Sequence, residues 1–298
     1  MNKWWWLFLF ILFWTGAGFA IFGVKQNQDL GNTCLPIHAE RIVSAAPNLT
    51  EILFALGLEE KIVGVTAHCN YPPAAAKKTK IGTFWQPDIE AVIAAKPDLV
   101  ITVGFEQQKN LAERLNRLGY KTLTVNIEKI SDLFEAIKKI GIATGREYDA
   151  NIMVRSIKNR LDEMAALIGT KDKVSVLWVV QREPLRVAGR DTFINEIIEL
   201  AGGENAMGPT VYKYPPIGAE QVIACKPDVI IQPTMGQENL AEQQEKALRY
   251  WRRFSGAPAV KDGRIYVING DIVSRLGPRL PEAAETIAGC LRPKLFKN

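Results

Sequence analysis

A short segment of the chain occurs twice, 130 residues apart, and this repeat restricts the fold more than any other feature of the sequence. Residues 89–101 read Ile-Glu-Ala-Val-Ile-Ala-Ala-Lys-Pro-Asp-Leu-Val-Ile, and residues 219–231 read Ala-Glu-Gln-Val-Ile-Ala-Cys-Lys-Pro-Asp-Val-Ile-Ile. Each copy has the pattern of a helix, a turn that contains proline and a buried strand. The chain is therefore predicted to use one supersecondary unit twice, once in each of two lobes.

Short apolar segments alternate with helical segments around both copies. Residues 41–47, 61–66, 99–103 and 122–125 have the composition of buried strands, and a second series begins at residues 174–180. Such alternation predicts the α/β class, with largely parallel sheets that are covered by helices.

An unbroken helical stretch, residues 147–168, lies between the two series and contains no Gly or Pro. Its apolar residues recur near the helical period of 3.6; they are Ile152, Ile157, Leu161, Met164 and Ile168. We interpret this stretch as the connector between the lobes. The predicted boundaries are 41–146 for the N-terminal lobe, 147–170 for the linker helix and 171–298 for the C-terminal lobe.

The N-terminus has the layout of an export segment. Lys3 is followed by 21 uncharged residues, Trp4 to Val24, with small residues around Gly18. A charged start, an apolar run and a small-residue zone are typical of a signal peptide, yet 21 residues are also long enough to span a bilayer. Residues 1–24 are therefore a signal peptide or a membrane anchor, residues 25–40 are a spacer, and the lobes are expected in the periplasm.

Composition excludes several classes of protein. The net charge of +5 comes from 37 basic residues interspersed with 32 acidic ones, so no basic stripe for nucleic acid is present. Two His and four widely spaced Cys without a Cys-x-x-Cys pair leave little material for a metal site of the protein's own. The common nucleotide-loop, hydrolase and zinc-protease motifs are missing, and the neighbours His68 and Cys69 lack a third orienting group. We expect a protein that is not an enzyme and has no cofactor.

The glutamate of each repeat copy, Glu90 and Glu220, opens its helix. A carboxylate there complements the helix dipole, which accounts for much of its presence. It also leaves two exposed carboxylates at equivalent sites of the two lobes. Such a pair suits docking to a two-fold symmetric partner that carries Arg or Lys.

The sequence resembles the periplasmic substrate-binding proteins of ABC importers in which one long helix joins two lobes. The resemblance covers roughly residues 40–292, and within the family it is strongest to vitamin B12 binders. The segments that carry it are Arg41–Gly57, Val63–Thr66, Asn70–Pro73, Lys96–Val100, Glu199–Asn205, Lys226–Asp228 and Gly277–Leu280.

This resemblance implies a monomer that binds a metal chelate, such as cobalamin or a related corrinoid, between its lobes. It also implies that Glu90 and Glu220 dock on arginines of the permease subunits. A ferric-siderophore or haem receptor of the same class is the alternative, and a membrane-anchored sensory or scaffold domain is the alternative from another class.

Candidate ligand-binding residues lie in the loops before the two repeat copies. Phe84 and Trp85 precede Glu90, and Tyr214 precedes Glu220. Aromatic side chains at equivalent positions of opposing lobes suit a flat, largely apolar ligand such as a corrin ring.

Further candidates follow from the resemblance and from the late loops. By resemblance, His68 falls where an aromatic residue lines the cleft, although a solvated loop histidine is as plausible. Asp271 lies on a late loop that suits hydrogen bonds to ligand amides.

The sequence departs from the B12 binders at several positions. Arg186 stands where they carry a cleft aromatic, and Arg275 and Arg279 lie near the later cleft loop. Additional arginines suit an anionic ligand, although for each arginine alone a position on the surface or in a pair between lobes is the favoured interpretation. The family's usual disulfide is not reproduced, because Ala201 occupies one of its positions, and a Cys225–Cys290 bond stays open as an alternative.

Overall fold

The structure is a computed structural model that describes residues 39–234 and 239–296. The predicted export segment and the spacer up to residue 38 lie outside the described residues. Among the residues described, no helix combines the length and the apolar character needed to cross a bilayer.

The first series of strands forms a parallel sheet in the order β2-β1-β3-β4. The strands are β1 (Ile42–Ser44), β2 (Ile62–Val65), β3 (Leu99–Val103) and β4 (Thr122–Val125). Strands β1 and β3 are buried along their whole length, as expected at the centre of a sheet with both faces covered.

The second series forms a sheet in the order β6-β5-β8-β9, and β7 also pairs with β5. The strands are β5 (Val174–Arg182), β6 (Leu185–Val187), β7 (Gly203–Asn205), β8 (Val229–Thr234) and β9 (Ile265–Asn269). All of these pairs are parallel except β5–β6, a tight antiparallel hairpin. The predicted two-lobe α/β architecture is confirmed.

The helices are interspersed with the strands in both lobes. Those of the first lobe are α1 (Pro47–Ala55), α2 (Pro73–Ala76), α3 (Ile89–Ala94), α4 (Glu106–Arg117) and α5 (Ile130–Ala143). Those of the second lobe are α7 (Phe193–Leu200), α8 (Ala219–Ala224), α9 (Leu240–Trp251), α10 (Pro258–Lys261), α11 (Gly270–Val273) and α12 (Leu280–Leu291). Single 3-10 turns occur at Glu59–Lys61 and Arg252–Phe254.

One long helix, α6 (Glu147–Ile168), connects the two sheets and packs against α5 and α12. Its buried residues form a stripe with spacings of three and four; they are Ala150, Val154, Ile157, Leu161, Met164 and Ile168. This stripe belongs to an apolar core that contains Ile42 from the first sheet and Trp178 from the second. The helix therefore joins the lobes through packing as well as through the chain.

The repeated Lys-Pro-Asp turn has the same structural role in both copies. The lysine of each copy has a positive φ, 47° in the first and 43° in the second, so the helix ends there. The aspartate that follows binds the start of the neighbouring strand: Asp98 accepts a hydrogen bond from the Arg41 N–H, and Asp228 accepts one from the Ser175 N–H. The turn thus aligns each repeat strand with the first strand of its own sheet.

Candidate functional site

Loops at the carboxyl ends of β1, β2, β4 and β9 contribute to one cavity of about 530 Å³ between the lobes. Open α/β sheets place their ligands at this edge. The first lobe contributes His68, Asn70, Phe84 and Trp85, and the second contributes Asp271 and Arg275. Another groove of similar volume, about 560 Å³ beside α1 and α6, contains none of the predicted site residues.

An aromatic cluster forms one wall of this cavity. The Trp85 ring meets Phe84 edge-on at 5.0 Å and Phe105 at 4.8 Å between ring centroids. Trp85 is nevertheless 58% exposed, so much of its surface is free for a ligand. Edge-on contacts of this kind hold a ring in place while leaving a face accessible.

A buried glutamine fixes the loop that carries the aromatic wall. Gln108 on α4 donates to the carbonyls of Ala45 and Phe84, at 2.8 and 3.1 Å, and accepts from the Val103 N–H at 3.0 Å. Because the Gln108 side chain is buried, these bonds satisfy polar atoms that water does not reach. The loop is thereby attached to the ends of β1 and β3.

The floor of the cavity is a network of charged side chains that spans the lobes. Arg275 donates to Asp271 at 2.7 Å, to the Asn70 side chain at 2.6 Å and to the His68 carbonyl at 3.2 Å. Asn70 in turn donates to Asp271 at 2.8 Å. Since Asn70 and His68 belong to the first lobe, Asp271 and Arg275 connect the two lobes at the cavity surface.

A second layer lies behind these residues. Glu51, on the buried face of α1, accepts two hydrogen bonds from Arg279, at 2.7 and 2.9 Å. The Glu51 Oε1 atom that accepts from Arg279 also lies 3.5 Å from the guanidinium of Arg275. We refer to Glu51, Asn70, Asp271, Arg275 and Arg279 as the floor network.

The floor network is balanced in charge, with two carboxylates and two guanidinium groups. Burial opposes the charge of Arg279, but the hydrogen bond and the negative charge of Glu51 outweigh it, and the pKa of Arg279 is raised. The Tyr71 ring lies 3.9 Å from the same guanidinium and adds a cation–π contact. Two of the three arginines that suggest an anionic ligand, Arg275 and Arg279, are thus paired with carboxylates of the protein.

Two of the predicted ligand-binding residues lie away from the described cavity wall. Tyr214 and Arg186 adjoin each other in the second lobe, where Arg186 donates to the Tyr214 carbonyl at 3.4 Å. Burial raises the pKa of the Tyr214 hydroxyl. The other five predicted residues, Phe84, Trp85, His68, Asp271 and Arg275, surround the cavity.

The loop of Tyr214 reaches the first lobe through its neighbour. Lys213 forms an ion pair of 2.7 Å with Glu128, which follows β4 next to the cavity residue Ile127. Both side chains are about half exposed, 49% for Lys213 and 57% for Glu128. This pair is a second ionic contact between the lobes, in water rather than in the interior.

Glu90 and Glu220 are both exposed and occupy the second position of α3 and α8. Other residues cap these helices: Asp88 accepts from the Glu90 N–H at 2.9 Å, and Gln221 accepts from the Gly218 N–H at 2.8 Å. Within residues 39–234 and 239–296, neither glutamate carboxylate forms a hydrogen bond or an ion pair of its own.

The Cys225–Cys290 disulfide is not formed in the structure, because both residues are free thiols. Cys225 instead donates to the Val222 carbonyl at 3.4 Å, and burial raises the pKa of Cys290 to about 11. Cys69, the neighbour of His68, is buried beside the Thr50 and Thr66 hydroxyls, at 3.2 and 3.1 Å.

Several residues of the site do not appear among the sequence predictions, namely Glu51, Asn70, Phe105 and Gln108. For one of them the sequence does contain an indication. Glu51 lies between Leu49 and Ile52 on the apolar face of its helix, where a buried carboxylate needs a charged or hydrogen-bonding partner. The partner itself, 228 positions away, has no local signal.

Comparison with known proteins agrees with this architecture. Residues 42–272 match the family described as periplasmic binding protein. An ABC transporter substrate-binding lipoprotein of Bacillus subtilis is 32% identical over 92% of this chain and 85% of its own length. The vitamin B12-binding protein of Vibrio cholerae is 26% identical over 86% of this chain and 91% of its own length.

A solved structure extends the comparison to three dimensions. The periplasmic haem-binding protein of Pseudomonas aeruginosa superposes with a TM-score of 0.76 at 26% identity, over 86% of this chain and 94% of its own. Relatives with the same fold therefore include proteins named for different metal chelates.

Proposed function

The chain belongs to the periplasmic binding protein family, and we propose that it binds cobalamin or a related corrinoid and delivers it to the membrane permease of an ABC importer. The family consists of substrate-binding components of ABC transporters, which are not enzymes. The observation that carries the ligand proposal is the cavity between the lobes, in which the Phe84–Trp85 wall meets a polar floor without net charge.

The chemistry of this cavity suits a corrinoid. The exposed face of Trp85 offers an apolar surface to a flat ring, and Asn70 and Asp271 offer hydrogen bonds to the amides at its edge. A floor with balanced charge favours a neutral metal chelate over a ligand with several negative charges, because those charges would gain no unpaired partner there. The similarity to a vitamin B12-binding protein supports the same ligand.

Delivery to the permease is proposed to depend on Glu90 and Glu220. The two carboxylates are exposed, lie at equivalent positions of the repeat and are not engaged within the described residues. An exposed carboxylate with no partner is available to arginine on another protein, and a pair of them suits a permease with two related subunits. This pair favours transport over a sensory or scaffold role.

Export follows from the same proposal. The N-terminal run of residues 4–24 has the layout of a signal peptide or anchor, and the similar proteins are described as periplasmic or as lipoproteins. We infer that the lobes lie in the periplasm, where a binding protein meets its permease.

Calorimetry with cyanocobalamin tests the ligand. We expect micromolar or tighter binding, and Trp85→Ala is expected to weaken it about tenfold, since the ring buries apolar surface against the ligand. The matched control is Tyr148→Ala, which removes an exposed aromatic side chain from α6, away from the cavity. Binding of haem or of a ferric siderophore, with no heat from cobalamin or cobinamide, would overturn the corrinoid proposal in favour of the other ligands of this class.

A charge reversal tests the docking proposal. The double variant Glu90→Arg/Glu220→Arg is expected to retain ligand affinity and to abolish transport in cells. Glu113→Arg/Glu204→Arg is the matched control, because it reverses one exposed glutamate in each lobe at other positions. Loss of ligand affinity in the first variant, or equal loss of transport in both, would contradict the assignment.

A further inference from the structure

We propose that Glu51 sets the charge of the cavity floor and thereby makes the site select ligands without negative charge. This inference rests on the proposed function, since it concerns the same cavity. Glu51 does not line the cavity and acts through Arg275 and Arg279, so it is a positioning residue that determines specificity.

The charged side chains of the floor network are largely buried. The side chains of Glu51, Arg275 and Arg279 are 2%, 9% and 10% exposed, and Asp271 is 14% exposed. Salt and water screen such charges far less than surface charges. The net charge of the floor network is therefore experienced by any ligand in the cavity.

The two arginines are the groups that would otherwise bind an anion. A guanidinium presents a planar fork of donors that fits carboxylate and phosphate groups. Here Arg279 directs its Nε and Nη2 to Glu51, and Arg275 directs its Nη1 and Nη2 to Asn70 and Asp271. These donors are occupied before a ligand arrives.

The two carboxylates have different positions. Asp271 lies at the cavity surface and can itself contact a ligand, whereas Glu51 lies behind the arginines. Without Glu51, one negative charge would face two positive ones, and the floor would carry a charge of +1. The same aromatic wall would then surround a site suited to an anionic chelate.

The change Glu51→Gln tests this with almost no change in shape. A unit charge about 12 Å from a ligand carboxylate, at an effective dielectric constant of about 20, changes the affinity about tenfold. The probes are cyanocobalamin and its monocarboxylic acid, in which one side-chain amide has become a carboxylate. We expect the affinity ratio of acid to amide to rise about tenfold in the variant.

Two further variants separate charge from structure. Arg279→Lys retains the charge of the network, so the ratio is expected to stay at the wild-type value even where both affinities fall. Asp271→Asn makes the same charge change as Glu51→Gln at a less buried position, and it replaces Glu51→Gln if the latter does not fold. A general loosening of the site weakens both probes equally and leaves the ratio unchanged.

An unchanged ratio in the folded Glu51→Gln or Asp271→Asn protein overturns the inference while leaving corrinoid binding intact. Absence of corrinoid binding in the wild type overturns the proposed function instead. The ratio is then measured with haemin and its dimethyl ester, which differ by two carboxylates. A wild-type preference for the diacid, an unchanged ratio in the variants or binding of neither form overturns the inference.

Discussion

Two of the ionic contacts that join the lobes within the described residues have the same length but lie in opposite environments. Glu51 and Arg279 lie 2.7 Å apart with side chains that are almost fully buried. Glu128 and Lys213 also lie 2.7 Å apart, but about half of each side chain is exposed. The two contacts have the same distance between their charged atoms and differ in how much of the side chains is exposed to water.

Burial determines how much stability the protein loses when one partner of a contact is removed. Loss of Glu51 leaves the Arg279 guanidinium in the interior without its carboxylate, which costs far more than the pair itself contributes. Loss of Lys213 leaves Glu128 in water, where it is solvated at once. The floor network therefore fixes the loops around the cavity, whereas the Glu128–Lys213 pair adds little to their position.

The largest effect is expected from Glu51→Ala. This change leaves Arg279 buried without its carboxylate, and we expect the free energy of unfolding to fall by about 3–5 kcal/mol. Urea denaturation followed by circular dichroism measures the change. Glu128→Ala is the matched control, since it removes the carboxylate of the exposed pair.

The double variant Glu51→Ala/Arg279→Met sharpens the same test. It removes both charges of the buried contact, so part of the stability lost in Glu51→Ala should return. A loss below about 1 kcal/mol in the single variant would mean that water reaches Arg279 and that the two contacts do not differ.

A smaller effect is expected from Asn70→Ala. Asn70 donates to Asp271 and accepts from Arg275, and hydrogen bonds to charged groups contribute about 1.5–3 kcal/mol each. Because Asn70 is itself exposed, water replaces part of these hydrogen bonds in the variant. We therefore expect the free energy of unfolding to fall by about 1.5 kcal/mol in the same urea assay.

Asn151→Ala, an exposed position on α6, is the control for the loss of an asparagine and should raise stability by no more than about 0.7 kcal/mol through helix propensity. Equal stability of Asn70→Ala and the wild type would show that the Asn70 side chain adds nothing to the stability of the floor network.

Local sequence patterns predicted the parts of the fold that depend on local physics. The buried strands, the helix at 147–168 and the repeat each depend on the spacing of apolar residues or on a turn within a few positions. The wall residues Phe84 and Trp85 were predicted because they precede a repeat copy. The sequence shows the Lys-Pro-Asp turn as a repeat, but it does not show the hydrogen bond that Asp98 accepts from the Arg41 N–H at the start of β1.

The floor network was not predictable in the same way. The sequence leaves two interpretations of Arg275 and Arg279 open, as extra positive charge for an anionic ligand or as surface or inter-lobe arginines. Asp271, four positions before Arg275, is a partner nearby in the sequence, but no local pattern identifies the carboxylate that binds Arg279. That carboxylate, Glu51, lies more than 220 positions earlier and meets Arg279 only after both lobes have formed. Tyr214 is predicted at the cleft from its loop position and Arg186 from the family resemblance, and neither lines the described cavity. How close a loop such as that of Tyr214 comes to a cavity depends on contacts that spacing does not encode.

The Glu128–Lys213 pair is expected to contribute only about 0.2–1 kcal/mol. A double-mutant cycle with Lys213→Ala and Glu128→Ala measures this coupling from urea denaturation. Because the pair is exposed, the coupling should fall further when the salt concentration rises from 0.1 M to 1 M, where the screening length is about 3 Å. A coupling energy that does not change with salt would show that the pair is shielded from solvent, as the Glu51–Arg279 contact is.

The smallest expected effect is the pH dependence of that coupling. The hydrogen bond from Lys213 and its positive charge lower the pKa of Glu128, and the hydrogen bond to Glu128 raises the pKa of Lys213. The contribution is thus fully present above the ordinary pKa of Glu128, about 4.3, and is lost as the pH falls through the lowered value. At the alkaline end it persists up to the ordinary pKa of Lys213, about 10.4, and is lost above the raised value. The cycle should therefore give a constant coupling between about pH 5 and pH 10, and a decline within that window would show that the pair does not form in solution.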